Sequence, residues 1–142
     1  MRFTAALLLS ALLSTAASAS AQTTTLPACE PPNKSGIFLP KKGATLSSSA
    51  PFQLYYCSAQ YFRSHTTSID VLLSTNASAL SSGALLASGL TATPVEGSSY
   101  LYNITIPSYA TPRGKVYIGI FERFSGYYNA GYNYSTVAVT VK

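Results

Sequence analysis

Four tyrosines crowd one short stretch near the C-terminus: Tyr127, Tyr128, Tyr132 and Tyr134, with Arg123 and Asn129 among them. The chain has eleven tyrosines and no tryptophan, so this stretch holds over a third of its phenol rings. A tyrosine offers a flat apolar face and a polar tip, which suits stacking on a sugar ring and packing in a protein interface alike. The same rings would also serve as a cap over the end of a folded domain. Their chemistry is that of adhesion, and these six residues form the candidate binding set.

Bond-breaking chemistry finds little to work with. Glu30, Asp70, Glu96 and Glu122 are the only acids, and hydrolysis by paired carboxylates needs two of them held close together. A nucleophile–histidine–acid arrangement would have to recruit His65, the sole histidine, from Arg63-Ser64-His65-Thr66-Thr67. That segment reads as a polar turn with an exposed histidine, and no Gly-x-Ser-x-Gly elbow occurs. Zinc and copper sites need more His and Cys ligands than the chain has. An oxidase that binds copper through an N-terminal histidine is excluded by Gln22 or Ser20 at the start of the mature chain. Gly126 and Gly131 sit among tyrosines and not in a phosphate-binding loop. The expectation is a protein without catalytic residues, metal or cofactor.

Met1-Arg2, the apolar run AALLLSALL and the small residues of Ala17-Ser18-Ala19 and Ala19-Ser20-Ala21 form the pattern of a secretory signal peptide. The apolar run is about half of the roughly 20 residues that cross a bilayer. Cleavage after Ala21 would leave 121 residues starting at Gln22, and cleavage after Ala19 also fits. Residues 1–21 are thus expected to be a signal peptide, 22–35 an extended entry segment and 36–142 one domain. Residues 137–142, VAVTVK, lack the spacer and apolar tail of a lipid-anchor signal, so no membrane anchor is expected in the mature chain.

Export has consequences for three residue types. Cys29 and Cys57 are the only cysteines, and an oxidising compartment favours a bridge between them. It would close a loop of about 29 residues and contribute roughly 3–4 kcal/mol in the chain-entropy account. Four of the five asparagines, Asn33, Asn76, Asn103 and Asn133, lie in Asn-x-Ser/Thr sequons, an excess over chance that marks candidate glycosylation sites. A glycan on Asn133 would cover part of the tyrosine cluster. Without Arg2 the chain carries eight Lys/Arg against four acids. Apart from Lys41-Lys42 the cations are scattered, so no nucleic-acid partner is expected, and at most a weak preference for acidic polymers outside the cell.

The elements that must hold these residues are strands. Beyond the signal peptide, short runs of β-branched and aromatic residues recur between Gly, Pro, Ser and Asn, and helical periodicity is nearly absent. Seven strands are expected, near residues 37–39, 52–57, 69–74, 85–87, 102–106, 115–124 and 137–141, with residues 125–134 as a hairpin loop. Alternation puts Phe52, Leu54, Ile69, Val71, Ile104, Ile106, Val116, Ile118, Val137 and Val139 inside, and Asn103 outside. The fold class is all-β, an antiparallel immunoglobulin- or fibronectin III-like sandwich of about seven strands.

Pro40-x-x-Gly43-x-x-Leu46, the run PFQLYY at residues 51–56, GKVYIGIFE at 114–122 and STVAVTV at 135–141 give the chain a resemblance to small secreted fungal proteins. It resembles the Ser/Thr-rich glycosylphosphatidylinositol-anchored wall-protein family, whose N-terminal domain is related to yeast β-glucan assembly proteins. The similarity spans residues 36–141. It departs from the family in having Tyr55-Tyr56 where an early-strand tryptophan is common, and in lacking the Ser/Thr stalk. The resemblance implies an immunoglobulin-like domain at or near a cell wall and transfers no functional residue. The expected role is a secreted, non-enzymatic protein that associates with wall polysaccharide or another extracellular surface. The alternative is a secreted interaction protein or effector that binds a partner protein.

Overall fold

The structure is a computed structural model that describes residues 26–30, 34–59, 64–92, 98–110, 112–126 and 130–142. Eight strands follow one another among the described residues: β1 (Gly36–Leu39), β2 (Thr45–Leu46), β3 (Phe52–Cys57), β4 (Ser64–Ser74), β5 (Ala84–Leu90), β6 (Ser99–Ile104), β7 (Gly114–Gly126) and β8 (Ala130–Val141). Two short 3-10 turns, Leu80–Ser82 and Ser108–Ala110, are the helical pieces among the described residues. The strands form a three-stranded sheet, β1-β3-β6, and a five-stranded sheet, β2-β8-β7-β4-β5. This is the order of an immunoglobulin-type sandwich whose first strand is divided between the sheets.

The expected all-β class therefore holds, with three corrections of detail. The eighth strand is β2, two residues long, and it pairs with β8 in parallel while the other ladders are antiparallel. Two residues between turn signals carry no readable alternation, so tertiary pairing alone makes this strand. The segment expected to be a polar turn before Ile69 is the start of β4, where Ser64, His65 and Thr66 lie opposite Gly126, Ser125 and Phe124. His65 is exposed on that strand rather than in a loop. Strand β6 ends at Ile104, two residues early, although Ile106 is still buried.

The core lies between the sheets. All ten residues expected there are buried. Ile69, Val71 and Leu73 from β4 meet Val116, Ile118 and Ile120 from β7 and Val137, Val139 and Val141 from β8. Leu54, Tyr56, Tyr100 and Ile104 close the core from the smaller sheet. Each such side chain contributes about 1.5–3 kcal/mol when taken fully out of water. Three buried members, Leu46, Ala92 and Tyr100, fall outside the alternating runs that mark the rest.

Cys29 and Cys57 are joined within the chain, with Cα atoms 5.4 Å apart. In antibody domains the bridge pins sheet to sheet. Here it ties the entry segment to the end of β3, and the Tyr55 hydroxyl donates to the carbonyl of Pro27 at 2.6 Å beside it.

Candidate functional site

Alternation along β7 and β8 decides which face each polar residue joins. On β7, Phe121 and Arg123 point away from the core, and on β8, Tyr132 and Tyr134 do the same. The register sets Phe121 opposite Tyr134 and Arg123 opposite Tyr132. Phe121 stacks on its diagonal neighbour Tyr132, with ring centroids 4.9 Å apart and planes at 29°. Tyr132 and Tyr134 remain 67% and 69% exposed. They are thus neighbours on the flat outer face of the five-stranded sheet.

Strand β4 adds Asp70 and Leu72 to this face. Asp70 is buried and forms an ion pair with Nη2 of Arg123, while the Gly89 amide donates to its Oδ1 at 2.9 Å. Arg123 stays 43% exposed. The chain between β4 and β5 then folds back over the sheet. The Ser74 hydroxyl donates to the Asn76 carbonyl at 2.9 Å and accepts the Asn76 amide at 3.1 Å, and Asn76 Oδ1 accepts the Ser78 amide at 2.9 Å. The 3-10 turn that follows lays Leu80 on Gly119, where a Cβ would come within 2.6 Å of Leu80 Cδ2. A side chain at 119 would force Leu80 to shift. The result is a cleft of about 430 Å³ with Leu72, Leu80, Leu85, Phe121 and Tyr134 in its lining. The Asp70–Arg123 pair is the charged part of that lining.

Three of the six candidate binding residues, Arg123, Tyr132 and Tyr134, thus come together on one surface. Tyr127, Tyr128 and Asn129 lie outside the described residues. The expected ten-residue hairpin loop is a correction: β7 runs to Gly126 and β8 begins at Ala130, so Tyr132 and Tyr134 are strand residues. Long cross-strand pairing overrides the Gly/Tyr/Asn composition that suggested a loop. Asp70, Leu72, Leu80, Leu85 and Phe121 were not among the candidates. The outward parity of Asp70, Leu72 and Phe121 was readable, but the register that gathers them with Leu80 and Leu85 was not.

Of the sequons, Asn76 and Asn103 are exposed, and Asn103 occupies the outward position its alternation assigns. Asn33 lies outside the described residues. Asn133 is half-buried and faces the opposite side of β8 from Tyr132 and Tyr134, with its Oδ1 accepting the Tyr134 amide at 3.1 Å. A glycan there would leave from the face of β8 opposite Tyr132 and Tyr134.

A second polar site lies inside the sandwich. Glu122 follows Val116, Ile118 and Ile120 in inward parity and is fully buried. The Tyr56 hydroxyl donates to Oε2 at 2.7 Å, the Ser58 hydroxyl donates to Oε1 at 2.6 Å, and Thr66 donates to Oε1 as well. No ion pair to Glu122 exists among the described residues. Burial, reinforced by the adjacent carboxylate, pushes the Tyr56 hydroxyl far above the usual phenol range. Tyr100, its ring 5.8 Å from that of Tyr56, is pushed up to about 12, again mainly by burial. Thr66 pulls Tyr100 the other way but turns its hydroxyl to Glu122. The Tyr100 hydroxyl is left buried without a hydrogen-bond partner among the described residues.

Asp70 and Glu122 lie on opposite faces of one sheet, so they do not form a carboxylate pair for hydrolysis. Among the described residues no three His, Cys, Asp or Glu side chains gather as metal ligands. No protein-family model matches the chain, and no curated protein sequence matches it with significance. The family resemblance therefore rests on the sequence runs that carry it.

Proposed function

We propose that this protein is a secreted, non-catalytic binding domain that associates with wall polysaccharide or a similar extracellular polymer. The binding surface is the outer face of the five-stranded sheet. The observation that carries this reading is the pair Tyr132 and Tyr134, each about two-thirds exposed, side by side on a long and regular strand. Rings held on strands β7 and β8 lose little freedom on binding, because the 13- and 12-residue ladder already orients them. Stacking a sugar on one ring contributes on the order of 1 kcal/mol, by analogy with aromatic pairs. Two rings give a weak single contact, which a polymer with many sites converts into retention. The disulfide agrees with life in an oxidising compartment.

A partner protein is the second reading, favoured by Leu85, which is 48% exposed on the edge strand β5 near the same face. Retention on insoluble glucan and chitin separates the two. The Tyr132→Ala/Tyr134→Ala variant should stay folded by circular dichroism and lose retention. A folded variant retained as well as the wild type would overturn the polysaccharide reading.

A further inference from the structure

We propose that the cleft between the outer sheet face and the β4–β5 connection is a site for a small amphipathic alcohol: an aliphatic or alicyclic body bearing one hydroxyl. The polysaccharide reading uses the exposed tyrosine faces. This proposal goes beyond it to the space beside them, which Tyr134 borders, and stands on the leucine wall and the Asp70–Arg123 pair. The cleft's volume, about 430 Å³, lies in the range of small-molecule sites. Its lining is dominated by Leu72, Leu80, Leu85 and Phe121. A sugar ring needs hydrogen-bonding partners around its whole rim, because each hydroxyl left unpaired out of water costs about 1–3 kcal/mol. The cleft places its charged groups together, as the Asp70–Arg123 pair, and the ligand it fits is correspondingly apolar along its length.

The same pair selects the head group. Asp70 accepts from Gly89 through Oδ1 and from Arg123 through Oδ2, and each carboxylate oxygen retains a second lone pair. Arg123 gives one Nη2 donor to Asp70, is 43% exposed and retains further N–H groups. A ligand hydroxyl can donate to the aspartate and accept from the arginine at once. A carboxylate can only accept, and it would meet the charge of Asp70 beside the one guanidinium that attracts it. The pair is neutral as a unit, so it favours a neutral head that is both donor and acceptor. The turn that walls the cleft rests on the sheet through Leu80 against Gly119.

Titration calorimetry of the purified protein at pH 7 with 1-octanol and with octanoate tests this. Octanol should bind saturably, and octanoate at least about tenfold more weakly. Leu85→Glu puts a charge into the apolar wall at an exposed position and should abolish octanol binding while the circular dichroism stays unchanged. Asp70→Asn frees the guanidinium from its counter-charge and should reverse the preference toward octanoate, a change that loss of structure would not produce. Tyr132→Ala should leave octanol binding intact even where it ends glucan retention, so the two proposals fail separately. The proposal is overturned by absence of saturable octanol binding, by equal affinity for octanoate in the wild type, by full binding in a folded Leu85→Glu variant, or by displacement of octanol with a soluble glucan oligosaccharide.

Discussion

Two carboxylates on the same sheet lead opposite lives. Asp70 on β4 and Glu122 on β7 sit near one another in the ladder, since Asp70 pairs with Phe121, the residue before Glu122. One residue of parity separates their fates. Asp70 turns outward, takes Arg123 as its counter-ion and lines a cleft open to solvent. Glu122 turns inward, is fully buried and is held by the hydroxyls of Tyr56, Ser58 and Thr66. The outer site has spare donors and acceptors within reach of solvent, and is suited to binding. The inner site spends its hydrogen bonds on itself, and is suited to holding the two sheets in one register.

If that contrast is right, the inner site should dominate stability. Glu122→Ala strips three hydroxyls, two of them buried, of their acceptor and opens a cavity, which should cost about 3–5 kcal/mol. Urea unfolding measures this, and a loss below about 1 kcal/mol would mean that the hydroxyls find other partners. Next in size is a matched pair of smaller changes. Tyr56→Phe removes a hydrogen bond to a carboxylate and should cost about 1.5–3 kcal/mol. Tyr100→Phe removes an unpartnered hydroxyl and should be neutral or stabilising, although both rings are equally buried.

Alkali should also attack the inner site first. Tyr56 and Tyr100 both have folded-state pKa values raised above the unfolded value near 10, so their contribution is fully present below pH 10. It is lost as pH climbs through 12 and beyond, because only the unfolded chain releases these protons readily. Absorbance of phenolate should show Tyr56 and Tyr100 ionising only as the chain unfolds. Complete reversible ionisation below pH 11 with the fold intact would break the comparison. The smallest effects belong outside. Asp70→Asn should cost about 1 kcal/mol or less, since its partner is half in water. Tyr134→Ala should shift stability by no more than about 0.5 kcal/mol. A loss of several kcal/mol from either would make the outer face a structural element instead.

Much of the sandwich was legible before any coordinates. Val116, Ile118 and Ile120, like Val137, Val139 and Val141, announce an inner face by period-2 alternation, which depends only on neighbours along the chain. The pairing of Cys29 with Cys57 followed from there being two cysteines and an expected export signal. The candidate site was half legible. Arg123, Tyr132 and Tyr134 were singled out, but as tips of a loop, because Gly, Asn and Tyr between two hydrophobic runs read locally as a turn. The extra pairing of β7 with β4 and β8 made that stretch strand, and local composition carries no trace of such partners.

The amino-acid sequence by itself therefore determined the strand class, the apolar lining of the core, the bridge and the parity of Asp70 and Glu122. Each of these is a property of residues a few positions apart. Only the tertiary structure decided what each parity faces: Arg123 and a leucine-walled cleft for Asp70, three hydroxyls for Glu122. The reason is that the partners of Asp70 and Glu122 lie 19 to 66 positions away along the chain, and register between strands, set by packing of the whole sheet, brings them within hydrogen-bond reach.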